Sequence, residues 1–300
     1  MGRKFISGHH LAILHTETKE QQFILATHSY QHNSLGITAV AYSHSKKLVA
    51  VAEKVEPLAI VTFYDSINLR RKKLISSNEF GSNEIRCMSF SEDGKFLITQ
   101  GCGPEWNLTL WNVEKSIKAI ITVKISLTDE CPVNQISICP WDASVILVIG
   151  KAIFRLFRYV EGQLRPIACS TRKDHSNFIS HCWIPEDILI LGTEGGEVLL
   201  IENLEYRGQV YPTSAMISAM ASMMLSGSHA SDSVAGNTLG HSSGGGGDHD
   251  SSSGSNPVNC ITATSRGFVT ASLHGEFKLF ERNEDIKERY SVEETYKIPG

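Results

Sequence analysis

The sequence lacks any long hydrophobic run. Its longest apolar stretches, such as Val145-Ile146-Leu147-Val148-Ile149, are five residues long, whereas a membrane-spanning helix needs about 20. At the N-terminus, His9 and His10 interrupt the apolar core that a signal peptide requires. We therefore expect a cytoplasmic protein without membrane contact.

The sequence also lacks paired cysteines and an excess of positive charge. Its seven cysteines include no Cys-x-x-Cys pair, so we expect reduced thiols and no zinc site. Lys and Arg total 28 against 32 Asp and Glu, a formal net charge of −4, which does not favour nucleic acid as a partner. With 41% apolar residues, the chain is too hydrophobic to be disordered throughout.

No constellation of residues predicts catalysis. Gly240-His241-Ser242-Ser243-Gly244 has the spelling of a nucleophile elbow, but it lies in a Ser/Gly-rich stretch without the strand and helix that hold such a serine. The run Asp248-His249-Asp250 has no rigid scaffold that would fix metal ligands. We therefore predict no catalytic residue, no cofactor and no metal.

An internal repeat is the strongest feature of the sequence. Ile37–Asp65 superposes on Ile85–Asn112 at an offset of 48 residues in its first half, which pairs Lys47 with Lys95. Further copies of the unit begin at Val133, Ile179 and Ile261. The last copy is displaced by an insertion of about 36 residues, and periods of this length are typical of repeat architectures.

The pattern of each unit predicts three to four short strands. In the second unit, Ile85–Phe90 and Phe96–Thr99 flank the turn Asp93-Gly94, and Leu108–Trp111 is the third strand, followed by a fourth over Ile117–Ile125. WD40 blades recur at about 40–45 residues and kelch blades at about 50. The pattern predicts an all-β, WD40-type β-propeller, divergent because few third strands end in an aromatic residue followed by an acid.

The spacing of the units divides the chain. We expect a partial first blade over 1–34, with strands at Ile6–Leu14 and Gln22–Ala26, four propeller units over 35–205 and a further unit over 258–282. A flexible insertion, first Met-rich and then Ser/Gly-rich, is expected over 206–257 and a charged connector over 283–300. About five to six blades result, which leaves open whether the ring is complete.

Two groups of residues are candidate partner contacts. The basic run Arg70, Arg71, Lys72 and Lys73 follows the third strand of the first full unit, so we expect it on a surface turn facing an acidic surface such as tubulin or a phosphorylated partner. The second group comprises methionines spaced to share one face of a helix within the insertion, which suits adaptable docking. These methionines are Met216, Met220, Met223 and Met224.

Several segments resemble a known family. SKKLVAVAEK at 45–54, AIVTFYD at 59–65, MSFSEDGKFLITQ at 88–100, NLTLWN at 107–112 and FRLFRYVEGQL at 154–164 are similar, in content and order, to the first propeller of the cilia- and flagella-associated protein 57 family. The resemblance implies a non-catalytic scaffold of the ciliary axoneme that supports inner dynein arms on doublet microtubules. It also implies an N-terminal fragment or truncated isoform without the coiled coil through which the family self-associates.

Two alternatives remain open from the sequence. The first is a general WD-repeat adaptor in a non-ciliary cytosolic complex. The second is a propeller hydrolase, which would need acids or a metal at the centre of the ring.

Overall fold

The structure, a computed structural model, describes most of the chain. The described residues are 2–7, 10–15, 17–25, 34–114, 116–126, 131–171, 173, 175–185, 187–210, 256–283 and 290–298. The four candidate methionines lie outside them. Within this part no helix is long and apolar enough to cross a bilayer, and the only helical element is a 3-10 turn at Asn78–Phe80.

The described residues form antiparallel sheets that follow one another along the chain. The first sheet has three strands: β1 (Gly2–Ser7), β2 (His10–His15) and β3 (Gln21–Leu25). The second and third have four each: β4 (Ser34–Ser43), β5 (Leu48–Val55), β6 (Ile60–Asp65), β7 (Arg71–Ser76), then β8 (Ile85–Phe90), β9 (Phe96–Gly101), β10 (Asn107–Asn112) and β11 (Lys118–Lys124).

Three further four-stranded sheets complete the described fold. The fourth contains β12 (Val133–Ile138), β13 (Val145–Gly150), β14 (Ile153–Val160) and β15 (Gln163–Ile167). The fifth contains β16 (Phe178–Ile184), β17 (Ile188–Thr193), β18 (Val198–Glu202) and β19 (Glu205–Val210). The sixth contains β20 (Val258–Ala263), β21 (Gly267–Ser272), β22 (Glu276–Arg282) and β23 (Tyr290–Lys297).

Each sheet is a blade in which consecutive strands pair, and successive blades pack face to face. Five buried clusters lie between successive blades, from the first pair to the fifth and sixth. In the second cluster, for example, Phe63 of the second blade and Phe90 of the third meet edge to face, with ring centroids 6.3 Å apart. The second to fifth blades therefore have both faces buried because each is stacked between two others, as in a propeller.

The burial of a strand determines how clearly its residues predict it from the sequence. The second strand of a blade is covered on both faces, so β13 (VILVIG) and β17 (ILILGT) are buried throughout and read as continuous apolar runs. The fourth strand is an edge with solvent on most sides, and β7 buries only Ile75. The prediction of regularly repeated β-blades is confirmed by this arrangement.

Three boundaries differ from the predictions. The expected single strand over Ile6–Leu14 is a hairpin of β1 and β2, and the expected insertion begins after β19 rather than at residue 206. The expected connector over 283–300 is wrong for Tyr290–Lys297, which pairs with β22 as the fourth strand of its blade. Outer strands such as β23 are stabilised by backbone hydrogen bonds to one neighbour and therefore carry no apolar alternation.

Candidate protein-interaction surface

The same hydrogen bond joins two turns at one end of successive blades. In the second blade, the backbone N–H of Ser66 donates to the carbonyl of Lys47 at 2.8 Å, and in the third the N–H of Val113 donates to Lys95 at 2.9 Å. Each bond links the turn after the first strand to the end of the third strand. The repeat therefore places the residues at these positions on one common end of the propeller, called here the turn end.

Basic side chains cluster at the turn end of the second and third blades. We call them the basic surface: Lys46, Lys47, Arg70, Arg71, Lys72, Lys73 and Lys95, all of them exposed. The turns of the two blades touch, because a β-carbon at Gly94 would lie 2.5 Å from Cγ of Lys46. Residues about 25 to 50 positions apart in the chain, up to one repeat period, thus form one continuous patch.

The acids on these turns neutralise only part of the patch. Asp65 Oδ2 lies 2.8 Å from Nζ of Lys72, and Asp93 Oδ2 lies 3.4 Å from Nζ of Lys95. The hydrogen bond from Lys72, with backbone N–H donors of Ile67 and Asn68, lowers the pKa of the Asp65 carboxyl to about 2. With Glu92 and Glu114 also on these turns, seven cations face four carboxylates, so the surface keeps a positive excess near neutral pH.

The structure corrects the expected position of the basic run. Arg70 lies in the turn, but Arg71, Lys72 and Lys73 belong to the outer strand β7 rather than to a surface turn. The reason is that an outer edge strand is held by backbone hydrogen bonds to β6 and needs no apolar side chains at its beginning. The run is nevertheless exposed, as the sequence predicted.

Sequence reasoning missed the remaining members of the basic surface. Lys46, Lys47 and Lys95 are isolated pairs or single residues in the sequence and do not stand out as a charge cluster. The repeat alignment contained the signal, because it paired Lys47 with Lys95 and so placed them at equivalent turns of neighbouring blades.

A polar network joins β12 and β16, the first strands of the fourth and fifth blades. The indole N–H of Trp183 donates to Oγ of Ser137 at 2.8 Å, and that Oγ lies 2.7 Å from Nε2 of His181. Burial lowers the pKa of the His181 imidazole to about 4. The Nδ1 atom of His181 is buried without a hydrogen-bond partner among the described residues, so no hydrogen bond at that nitrogen offsets the effect of burial.

This network predicts a pH-dependent stability. Unfolded His181 binds a proton below about pH 6.5, whereas folded His181 does so only near pH 4, so acid favours the unfolded chain between these values. Each pKa unit corresponds to about 1.4 kcal/mol. Because the ring is only half-buried by its accessible surface, we expect the His181 contribution to cost about 2 kcal/mol across this window.

Denaturant unfolding at a series of pH values measures this effect. The His181→Gln variant keeps a side chain that can bond Ser137 but does not titrate, so its stability should fall less steeply than that of the wild type from about pH 6.5 to about pH 4. Parallel curves for the two proteins would contradict the assignment.

No metal centre is evident in the part of the chain that the structure describes. Among those residues, no three His, Cys, Asp or Glu side chains are grouped so that they could hold a metal ion. All seven cysteines are unpaired, and burial raises the pKa of the Cys87 thiol to about 12. Cys260 is exposed.

Comparison with known sequences identifies relatives of the chain. Residues 4–230 match the family described as the CFAP43 N-terminal domain. The chain is 33% identical over 215 residues to cilia- and flagella-associated protein 57 of Mus musculus, a match that covers 71% of this chain and 16% of the relative. It is 24% identical over 141 residues to cilia- and flagella-associated protein 57 A of Tetrahymena thermophila, covering 44% of this chain and 11% of that relative.

Comparison with solved structures confirms the predicted fold class. The crystal structure of the RRP9 WD40 repeats superposes with a TM-score of 0.68 at 10% identity, over 100% of this chain and 78% of that chain. The crystal structure of the Myceliophteria thermophila Cps50 (Swd1) β-propeller domain superposes with a TM-score of 0.59 at 13% identity, over 87% of this chain and 72% of that chain. At these identities the likeness shows the WD40-type propeller fold alone.

Proposed function

The chain belongs to the CFAP43 N-terminal domain family and is a CFAP57-like WD-repeat protein, and from this premise we propose that it is a non-catalytic interaction scaffold of the cilium. Within the cilium, the proposal assigns it to the axoneme, where it supports the assembly or anchoring of inner dynein arms on doublet microtubules and so ciliary motility. The names of its relatives support a ciliary setting. The chain spans 16% of the length of the mouse relative, so the activities of the whole relative enter here only as proposals.

The basic surface is the observation that carries the mechanism. Seven exposed cations, four on adjoining turns and three at the start of β7, create a positive potential that attracts acidic partners and sets the orientation in which they dock. Neighbouring acids engage Lys72 and Lys95, so Lys46, Lys47, Arg70 and Arg71 are proposed as the principal contacts. We propose an acidic face of a doublet-microtubule or dynein-arm protein as the partner. The methionines at 216, 220, 223 and 224 remain a second predicted contact, outside the described residues.

Extraction of isolated cilia tests the proposal. A variant with Lys46, Lys47, Arg70 and Arg71 all changed to Gln should leave the axoneme at lower salt than the wild type, because screened charge contacts weaken with ionic strength. In the wild type, cross-linking mass spectrometry should connect Lys46, Lys47 or Lys95 to dynein-arm or doublet proteins.

A matched control removes four positive charges elsewhere. Lys54, Lys124, Lys173 and Lys278, all changed to Gln, give the same net charge and alter exposed or half-exposed ion pairs away from the turn end, which contribute little to stability. The control should be extracted like the wild type. Equal loss of both variants would remove the basic surface from the mechanism, and release of the wild type with detergent alone would favour a general adaptor outside the axoneme.

A further inference from the structure

A cavity opens at the turn end between the fourth and fifth blades, separate from the basic surface of the second and third blades. Its volume is about 240 Å³, below the range of about 300–1,000 Å³ that is typical of small-molecule sites. Such a volume suits a side chain of another protein rather than a cofactor. Besides the polar residues Asp142, Arg158, Asp187 and Asn203, the lining has apolar walls from both blades: Cys139, Val145, Leu156, Trp183, Leu189 and Ile201.

Two large apolar side chains stand exposed around this cavity. Trp141 is 43% exposed and packs edge to face on Trp183, a wall residue, with ring centroids 6.2 Å apart. Leu204 lines the cavity and is 37% exposed. Exposed tryptophan beside an apolar pocket is the composition found at the energetic centres of protein interfaces.

The backbone is strained at the rim of this cavity. Asn203 and Leu204 form the two-residue turn between β18 and β19, with φ of 50° and 63°. Left-handed angles at both positions favour Asn followed by Gly, and leucine there is unfavourable. The chain thus holds an exposed leucine in a strained conformation at the mouth of the cavity, and residues held in this way cluster at functional sites.

The charged residues at the mouth of the cavity indicate which charge a bound partner would carry there. Asp142 is paired with Arg158, whose Nη1 lies 2.9 Å from Oδ2 of Asp142. Asp187 accepts a hydrogen bond from the indole N–H of Trp141 at 3.1 Å, and it forms no ion pair within the described residues. One carboxylate is therefore left to attract a cation on a partner.

From these observations we propose that the cavity binds a short segment of another protein that inserts a leucine between the blades and sets an adjacent lysine or arginine against Asp187. Insertion buries the leucine against the six wall residues, and Trp141 closes over it. The partner chemistry is opposite to that of the basic surface, so the turn end carries two sites with different charge preferences. This assignment goes beyond the proposed scaffold role and does not depend on a ciliary location.

Binding of defined peptides to the full chain tests the proposal. The probe is acetyl-Gly-Lys-Leu-Lys-Gly-amide, and the comparison peptides replace its leucine with serine or its two lysines with glutamine. In nitrogen-proton correlation spectra, the leucine peptide should shift the indole signals of Trp141 and Trp183 but not those of Trp106 and Trp111, which are buried in other cores. The serine peptide should bind at least about tenfold more weakly, as expected for loss of an anchoring side chain.

Three variants separate docking from folding. Trp141→Ala should weaken binding at least about tenfold, and Asp187→Asn, which keeps an acceptor for the Trp141 indole, should bind the lysine and glutamine peptides equally. Leu204→Gly should weaken binding while raising the melting temperature by about 2–4 °C, because the strain of the turn is relieved. Opposite signs for affinity and stability would not arise if Leu204 had only a structural role.

Controls use exposed apolar residues outside the cavity. Tyr296→Ala and Leu273→Ala remove side chains that are 58% and 64% exposed, and both variants should bind the leucine peptide like the wild type. Equal affinity for the leucine and serine peptides, shifts confined to Trp106 or Trp111, or no binding at millimolar peptide would overturn the proposal.

Discussion

Replacing Trp111 by alanine is expected to lower the free energy of unfolding by about 3–5 kcal/mol. The side chain is 2% exposed and lies in the cluster between the second and third blades, with its ring centroid 5.3 Å from that of Phe80. Its indole N–H donates to Oγ1 of Thr99 at 2.9 Å. The substitution therefore removes a large buried aromatic side chain and leaves a buried hydroxyl without its donor.

Denaturant unfolding followed by circular dichroism measures this change, and the chain offers a matched control. Trp141→Ala removes the same side chain from an exposed turn, so its stability should stay within about 1 kcal/mol of the wild type. Trp111→Phe should lie between the two, because it keeps most of the apolar volume but loses the hydrogen bond to Thr99. An unchanged midpoint for Trp111→Ala would contradict the assignment of β10 as a third blade strand packed between neighbours.

The second strands of the blades could be predicted from the sequence because burial on both faces determines their composition. The strands β9, β13 and β17 are covered on both faces, so most of their residues are apolar or small, although β9 also buries Gln100. The turn Asp93-Gly94 provides the left-handed conformation that the hairpin needs, with φ of 67° at Gly94.

Outer strands could not be predicted in the same way. In β23 only Tyr290 is buried, and its last five residues are exposed, so the sequence there is charged and resembles a connector. It is a strand because its backbone pairs with β22, and this pairing leaves no pattern in the side chains. Backbone pairing with β6 likewise makes Arg71 part of β7, although the sequence predicted it in a turn.

The candidate surfaces depend on tertiary proximity rather than on a local motif. The basic run at 70–73 was visible as a cluster in the sequence, but Lys46 and Lys95 join it only because neighbouring turns meet. Trp141 lies in the turn between β12 and β13. Its partner Asp187 is 46 positions away, one repeat period, so only the stacking of blades brings them together.

Gly150→Ala is expected to lower the free energy of unfolding by about 3 kcal/mol, although it adds only a methyl group. A β-carbon at Gly150 would lie 2.2 Å from the carbonyl oxygen of Pro132 and 2.9 Å from Cα of Val133. Both are backbone atoms of the neighbouring segment and cannot rotate away. That carbonyl also accepts the N–H of Lys151 at 3.0 Å, so relief of the clash breaks a bond between the segments that carry β12 and β13.

The magnitude follows from two contributions. Forcing an extra methyl group into a filled site costs about 1–3 kcal/mol, and a lost hydrogen bond adds about 1 kcal/mol. Gly195→Ala is the matched control, because a β-carbon there meets only Oγ1 of Thr193 at 3.7 Å, an ordinary contact, and its stability should stay within about 0.5 kcal/mol of the wild type. Equal melting temperatures for Gly150→Ala and Gly195→Ala would show that the first strand of the fourth blade does not approach its second strand as closely as this packing requires.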